Sequence, residues 1–343
     1  MDYYAGIDVS LEQSSVCVVD ATGKIAKEAK VPSDAASLSE LFNSLDLALV
    51  RVGLEAGPLS QWLHEGLTDQ GYDVVLMETR QVKAALSAMT VKTDRKDARG
   101  IAQMLRMGWF RSVHRKSLEA QEIRVLLGAR KLLVGKIVDM EMTMRGLLRG
   151  FGLKVGPTTK PKFAARVREL IAGHRTLEGV IEPLLRCRDV LRSEMAGLHR
   201  KVLSIVRGDD LCRRLMSAPG VGAITALTFV AGVDDPARFT TSRAVGAHFG
   251  LTPRRYQSGE MDVIGSITKA GDESVRSALY EAGLSLLVKT KRPSALKAWG
   301  LAVAKRRGLK RAIVAVARKL AVVLHRMWVD GAEFRYSNQT SVA

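Results

Sequence analysis

Apolar residues in the N-terminal part of the chain fall into short runs bounded by glycine, proline and small polar residues, a pattern that predicts strands before helices. Tyr4-Ala5-Gly6-Ile7-Asp8-Val9 reads as a first strand, Ser15-Val16-Cys17-Val18-Val19 as a second and Gly23 to Val31 as a third. Ser10 to Ser14 and Asp20 to Gly23 are the turns between them. Helix and strand then alternate: Ser37 to Leu49 is amphipathic at helical spacing, and Val50 to Leu54 is a buried strand ending on Glu55. Gly57-Pro58 opens a helix through Leu67, Gly71 closes it, and Tyr72 to Met77 is a fifth strand. A further helix begins in Thr93-Asp94-Arg95-Lys96-Asp97-Ala98, with Thr93 or Asp94 as N-cap and apolar periodicity from Ala98 to Leu105.

Beyond Arg115 the period lengthens to a heptad. Ile123, Arg130, Ile137 and Met144 form one register, and Leu126, Leu133, Met140 and Leu147 the other. After a Gly/Pro/Lys-rich break from Gly150 to Pro161 and a short helix from Phe163 to Ile171, the pattern returns. Ile181, Arg188, Met195 and Val202 now run beside Leu184, Leu191, Leu198 and Ile205. The seams either close on each other within one chain or join copies of it; a homo-oligomer, dimer or tetramer, is the expectation. The single arginine in each seam is the kind of polar exception that fixes register and partner number.

From Leu211 the chain is compact again. Pro219-Gly220-Val221-Gly222 has the form of a helix-hairpin-helix turn, in which Gly220 and Gly222 present backbone N–H groups to a nucleic-acid phosphate or serve helix packing alone. Ser242 is expected to cap a helix that Gly250 ends. Gly250 to Glu260 is expected as a loop exposing Arg254, Arg255 and Ser258, with Lys269 and Arg276 close behind. The last helical part, Lys289 to Arg326, holds twelve bases, including Lys305, Arg306, Arg307, Lys310 and Arg311, and no acid. A solvated helix mixes signs, so this segment is expected against a phosphate backbone.

Composition narrows the partners. The chain has 343 residues and a net charge of +18, with 53 Lys and Arg against 35 Asp and Glu, which points to nucleic acid. No apolar run spans a membrane and no signal segment is evident, so a cytoplasmic protein is expected. Cys17, Cys187 and Cys212 are scattered, which indicates neither a disulfide framework nor a zinc site.

Asp94 and Asp97 are one helical turn apart and share a face, while Asp8 and Glu55 stand at strand tips. Four such carboxylates repel each other unless a cation holds them, and Mg²⁺ or Mn²⁺ suits hard oxygen ligands. Alternatively, the two aspartates only complement a helix dipole. Three meander strands followed by alternating helix and strand, with acids at the tips, is the ribonuclease-H-like plan. The expected fold class is therefore α/β: such a domain over residues 1–115, a coiled-coil insertion over 116–208, a mostly α-helical domain over 209–330 and a flexible tail over 331–343.

GIDVS, GLEAG and KTDRKDA, in this order, resemble the Asp-Glu-Asp-Asp set of RuvC-like nuclease domains. Together with the C-terminal half they resemble the transposases of the insertion sequence one-hundred-and-ten family, which includes the Piv-type DNA invertases. The resemblance runs from about Tyr3 to about Leu324. It implies a DNA recombinase of an insertion sequence, with Asp8, Glu55, Asp94 and Asp97 as metal-binding catalytic acids. It also implies Ser258, in the matching Pro…Ser-Gly segment, as nucleophile forming a phosphoserine link, with Ser266 in reserve. Arg254 and Arg255 would then stabilise phosphate charge. Donor and target DNA and an element-encoded bridge RNA are the implied partners. The rival readings are a RuvC-type endonuclease using metal-activated water, a non-catalytic nucleic-acid binder, and an actin-like ATPase, for which the glycine-rich phosphate loops are missing.

Overall fold

The computed structural model describes residues 1–87 and 92–336. By its contacts the chain divides into two compact units, Met1–Lys116 and the part from Ser117 onward.

In the first unit the elements follow as β1 (Tyr3–Asp8), β2 (Gln13–Asp20), β3 (Ile25–Pro32), α1 (Ala35–Ser44), β4 (Leu49–Glu55), α2 (Ser60–Asp69), β5 (Val74–Met77), α3 (Thr79–Leu86) and α4 (Asp94–Arg106). The strand order is β3-β2-β1-β4-β5. The first three strands form an antiparallel meander, and β4 and β5 extend it in parallel with β1. This is the ribonuclease-H-like sheet. Its two faces follow from strand alternation. Ala5, Ile7, Val16, Val18, Val52 and Leu54 point to one side and share a core with Leu38 and Phe42 of α1 and Leu63 and Leu67 of α2. Cys17 and Val19 point to the other and meet Ala98 and Ala102 of α4.

Helix α1 departs from the expectation at both ends. It starts early because Asp34 accepts a hydrogen bond from the Ser37 amide at 2.8 Å. It ends at Ser44, and Asp46 turns the chain with φ at 50°.

The second unit holds α5 (Leu118–Arg149), α6 (Phe163–Ile171), α7 (Arg175–Gly208), α8 (Asp210–Leu215), α9 (Ala223–Val233), α10 (Ser242–His248), the hairpin β6 (Pro253–Ser258) and β7 (Met261–Ile267), α11 (Glu273–Leu284), α12 (Ala295–Arg307) and α13 (Leu309–Val329). Helices α5 and α7 pair within the chain. Ile123 near the start of α5 shares a core with Val202 and Val206 near the end of α7, while Met144 and Leu148 meet Leu177, Ile181 and Leu185. The pair is therefore antiparallel. Arg188 lies buried in its middle, held by Glu141 at 2.7 Å, by the Lys160 carbonyl at 2.8 Å and by the Phe163 ring beneath it. The first heptad register is largely consumed by this pairing; in the second, Leu133 and Leu191 are part-exposed and Leu147 and Ile205 exposed.

Three expectations change here. Gly250 to Glu260 is not a loop: from Pro253 it is the first strand of a hairpin, missed because both its faces are exposed and no alternation marks it. Lys289 to Arg326 is not one helix: Gly308, with φ at 84°, separates α12 from α13. Thr241, not Ser242, is the N-cap position of α10; the Ser242 hydroxyl instead meets Nδ1 of the buried His325 at 3.0 Å. The expected flexible tail is tied down as far as Tyr336, since the Phe334 amide donates to Ser217 Oγ at 2.8 Å. From 337 it lies outside the described residues.

Candidate functional site

Asp8 and Glu55 are the last residues of β1 and β4, which run in parallel with Gly6 opposite Gly53 and Ile7 opposite Leu54. Alternation turns both carboxylates to the side covered by α4, two positions beyond those glycines. The glycines bring the helix down. A Cβ on Gly6 would stand 2.3 Å from the Ala102 nitrogen and 2.4 Å from the Ala98 oxygen, and one on Gly53 3.1 Å from Leu105. With α4 seated directly on the strands, its first turn carries Asp94 and Asp97. Thr93 caps that turn, its hydroxyl accepting from the Lys96 amide at 3.3 Å. A second fastening comes from β3, where Glu28 takes both Arg95 and Arg99, the latter at 2.9 Å from Nη2.

The acids are near enough to feel one another's charge. The Asp8 carboxyl is pushed up from 3.8 to about 6, first by burial and then by the charges of Asp97, Asp94 and Glu55, with Lys92 opposing. Glu55 is also raised, mainly by burial; a Thr79 hydrogen bond works against it and the charge of Asp97 with it. A cavity of about 340 Å³ opens beside Asp8 and Glu55, walled by Val9 to Leu11 and Ala56 to Leu59. Lys92 reaches to 4.0 Å from Asp97. Among the described residues no three carboxylate, imidazole or thiol groups stand in a geometry that closes on a metal ion. The donors nevertheless fit one in kind: four hard carboxylates whose mutual repulsion a divalent cation relieves.

In the second unit Ser258 is the exposed last residue of β6, opposite Met261 across a turn in which Gly259 has φ at 57°. Arg255 lies on the other face, paired through both guanidinium arms with Asp262 at 2.8 Å. Arg254 reaches the Thr268 carbonyl at 3.4 Å. The base of the hairpin is a latch. Arg276 donates to the Ala270 carbonyl at 2.8 Å and the Phe249 carbonyl at 3.2 Å, while Gly250 and Gly271 allow the two entry strands to close. Lys269 sits in this latch with φ at 54°. Gly220 is a packing glycine, because a Cβ there would strike the Ala282 carbonyl at 2.3 Å; Gly222 opens α9 with free space around it. Lys305, Arg306 and Arg307 end α12 and Lys310 and Arg311 begin α13, all exposed about the Gly308 corner.

Two family models cover most of this chain. Residues 5–152 match a DEDD-type IS110 transposase model, and residues 212–299 match the model described as "Transposase IS116/IS110/IS902 family". The transposase for insertion sequence element IS1111A of Coxiella burnetii is 30% identical over 331 residues, covering 93% of this chain and 87% of its own. The chain belongs to the IS110 family of transposases. A probable family 20 transposase of Pseudomonas aeruginosa is likewise 30% identical, over 84% of this chain and 86% of its own. RuvC of Thermus thermophilus aligns with 32% of the transposase and 99% of its own chain, at 17% identity and a TM-score of 0.26. As its family fixes in general terms, the transposase cuts DNA, and DNA is its partner. No described helix of it is long and apolar enough to cross a membrane.

Sequence reasoning missed Lys92 and Thr79, which oppose the rise of the acids, and Glu28, which fastens the helix. Lys92 directly precedes Thr93 and could have been found there; Glu28 pairs across the sheet, which local spacing cannot show.

Proposed function

We propose that this transposase cleaves and rejoins DNA strands with two sets of residues, one in each unit. Asp8, Glu55, Asp94 and Asp97 hold Mg²⁺ or Mn²⁺, which polarises the scissile phosphate when bound. Ser258 Oγ attacks phosphorus, so that an O–P bond to the serine forms as the P–O bond to the departing strand breaks. Arg254 lies near enough in sequence to meet the phosphate charge, and Arg255 does so on leaving Asp262. Gly222, Lys269, Arg276 and the cations about Gly308 line the nucleic-acid surface. Lys310 and Arg311 stand in the first turn of α13, where no acid meets the helix dipole and an anion would. A bridge RNA and a second copy of the chain are the further partners in this reading; the part-exposed Leu133 and Leu191 leave apolar surface for the latter.

The observation that supports the reading is the placing of Asp8 and Glu55 at the ends of adjacent strands on the side covered by α4, near enough for the charges of Asp97, Asp94 and Glu55 to help raise Asp8. Asp97→Asn should reduce Mg²⁺-dependent strand cleavage by several kcal/mol of barrier, roughly a thousandfold, while DNA binding persists. Ser258→Ala should abolish the covalent protein–DNA adduct seen by mass spectrometry of trapped complexes. Cleavage by Ser258→Ala at the wild-type rate would make water the nucleophile and the protein a RuvC-type endonuclease.

A further inference from the structure

A cavity of about 1360 Å³ in the second unit is a groove between β7 and α13, with Trp299 of α12 at its side. Its floor has a repeating chemistry. Along the α13 face, Lys310 and Arg311 are followed one turn on by Val314 and Ala315, then by Arg318 and Lys319, then by Val322 and Val323. Pairs four residues apart stack along one face, about 6 Å from turn to turn. The basic pairs are exposed, whereas Val314, Ala315, Val322 and Val323 are half-buried. The opposite wall, Ile264 to Ile267, is mostly apolar, Arg243 and Arg307 add charge at the rim, and no acid is among the described lining residues. Lys319 is held over the Trp299 ring with Nζ 3.7 Å from its centre, which fixes an ammonium group at the groove edge.

A duplex offers a phosphate surface and keeps its bases stacked inside. It would satisfy the cations and leave both apolar walls facing charged backbone. A folded protein segment would need acids for the cations and apolar side chains for the walls in the same alternation. An unpaired strand meets both demands together, with phosphates along the basic pairs and unstacked base faces against the valine pairs and the isoleucine wall. We propose that this groove binds single-stranded DNA, as an unpaired stretch beside the strand that Ser258 attacks. The proposal rests on the cleavage reading above, because the groove's wall is a strand of the serine-bearing hairpin.

The test is fluorescence anisotropy of the full-length protein with a labelled single-stranded DNA oligonucleotide, its duplex and the matching RNA. Wild type should bind the single-stranded DNA at least about tenfold more tightly than the duplex, in line with the strength of base stacking. Val314→Ser combined with Val322→Ser should remove most of that preference and leave duplex affinity within about twofold. Arg318→Ser with Lys319→Ser should lower the salt slope of single-strand binding by about 1 to 2. Equal wild-type affinity for strand and duplex overturns the proposal, as does a valine variant that weakens binding of the RNA and not of the single-stranded DNA; the first ratio decides even if a valine variant fails to fold. Adduct formation by Ser258 is scored separately. A groove that prefers single strands without a serine adduct refutes the cleavage reading alone, and an adduct without the preference refutes the groove alone.

Discussion

At the scale of single residues, Gly6 decides more about the acidic site than any carboxylate in it. Its missing side chain lets the α4 backbone rest on β1, and that contact sets Asp97 against Asp8. Gly6→Ala must push apart two backbones, not a flexible side chain. It should cost on the order of 3 kcal/mol in urea denaturation and reduce cleavage as well. An unchanged denaturation midpoint would show that α4 does not sit on this strand. The same reasoning explains the first of the motifs: in GIDVS the glycine and the aspartate are two apart because both must face α4, one to admit the helix and one to meet its acids. That logic was legible from strand alternation once the helix was placed, but the placing of α4 over β1 was not.

At the scale of elements, α4 is held from above by Glu28 and the hairpin α5/α7 from within by Arg188. Glu28 is lowered from 4.5 to about 2, chiefly by its hydrogen bonds to Arg99 and Arg95. A carboxylate depressed on folding contributes stability that is whole above its ordinary value and is lost as pH falls through the folded one. The stability difference between wild type and Glu28→Gln should therefore be constant from neutrality down to about 4.5, then shrink as pH falls through about 2. A difference that grew in that window would exclude the pairing. Arg188→Ala empties a buried position and leaves the half-buried Glu141 without its cation, which should cost about 3 kcal/mol, whereas Arg188→Met with Glu141→Leu should cost much less. Equal losses in the single and double variants would show that the two charges are not coupled. Elements with a strong period were readable in advance: α6 falls on Phe163–Ile171 as expected, and β4 ends on Glu55. Those that failed lacked a local signal. The exposed hairpin has no buried face to alternate, the α13 break is one glycine, and the Ser242 hydroxyl is drawn to His325, 83 residues away.

At the scale of the whole molecule, the net charge of +18 is unevenly spread, and the stretch from Lys289 to Arg326 carries twelve bases without an acid. Folding concentrates it further. Gly308 turns the chain so that Lys305, Arg306 and Arg307 close one helix and Lys310 and Arg311 open the next, five exposed cations at one corner. Cations at the end of α12 complement its dipole, but those at the start of α13 oppose it, so folding alone does not account for them. Phosphate does. Each phosphate contact releases close to one counterion, so replacing Lys305, Arg306 and Arg307 together by Ala should flatten the slope of log affinity against log salt by about 2 to 3. The loss should be uniform across DNA sequences, because backbone contacts carry no sequence information. The melting temperature should stay close to that of the wild type, since all three side chains are exposed. A slope that did not move would mean that Lys305, Arg306 and Arg307 face water.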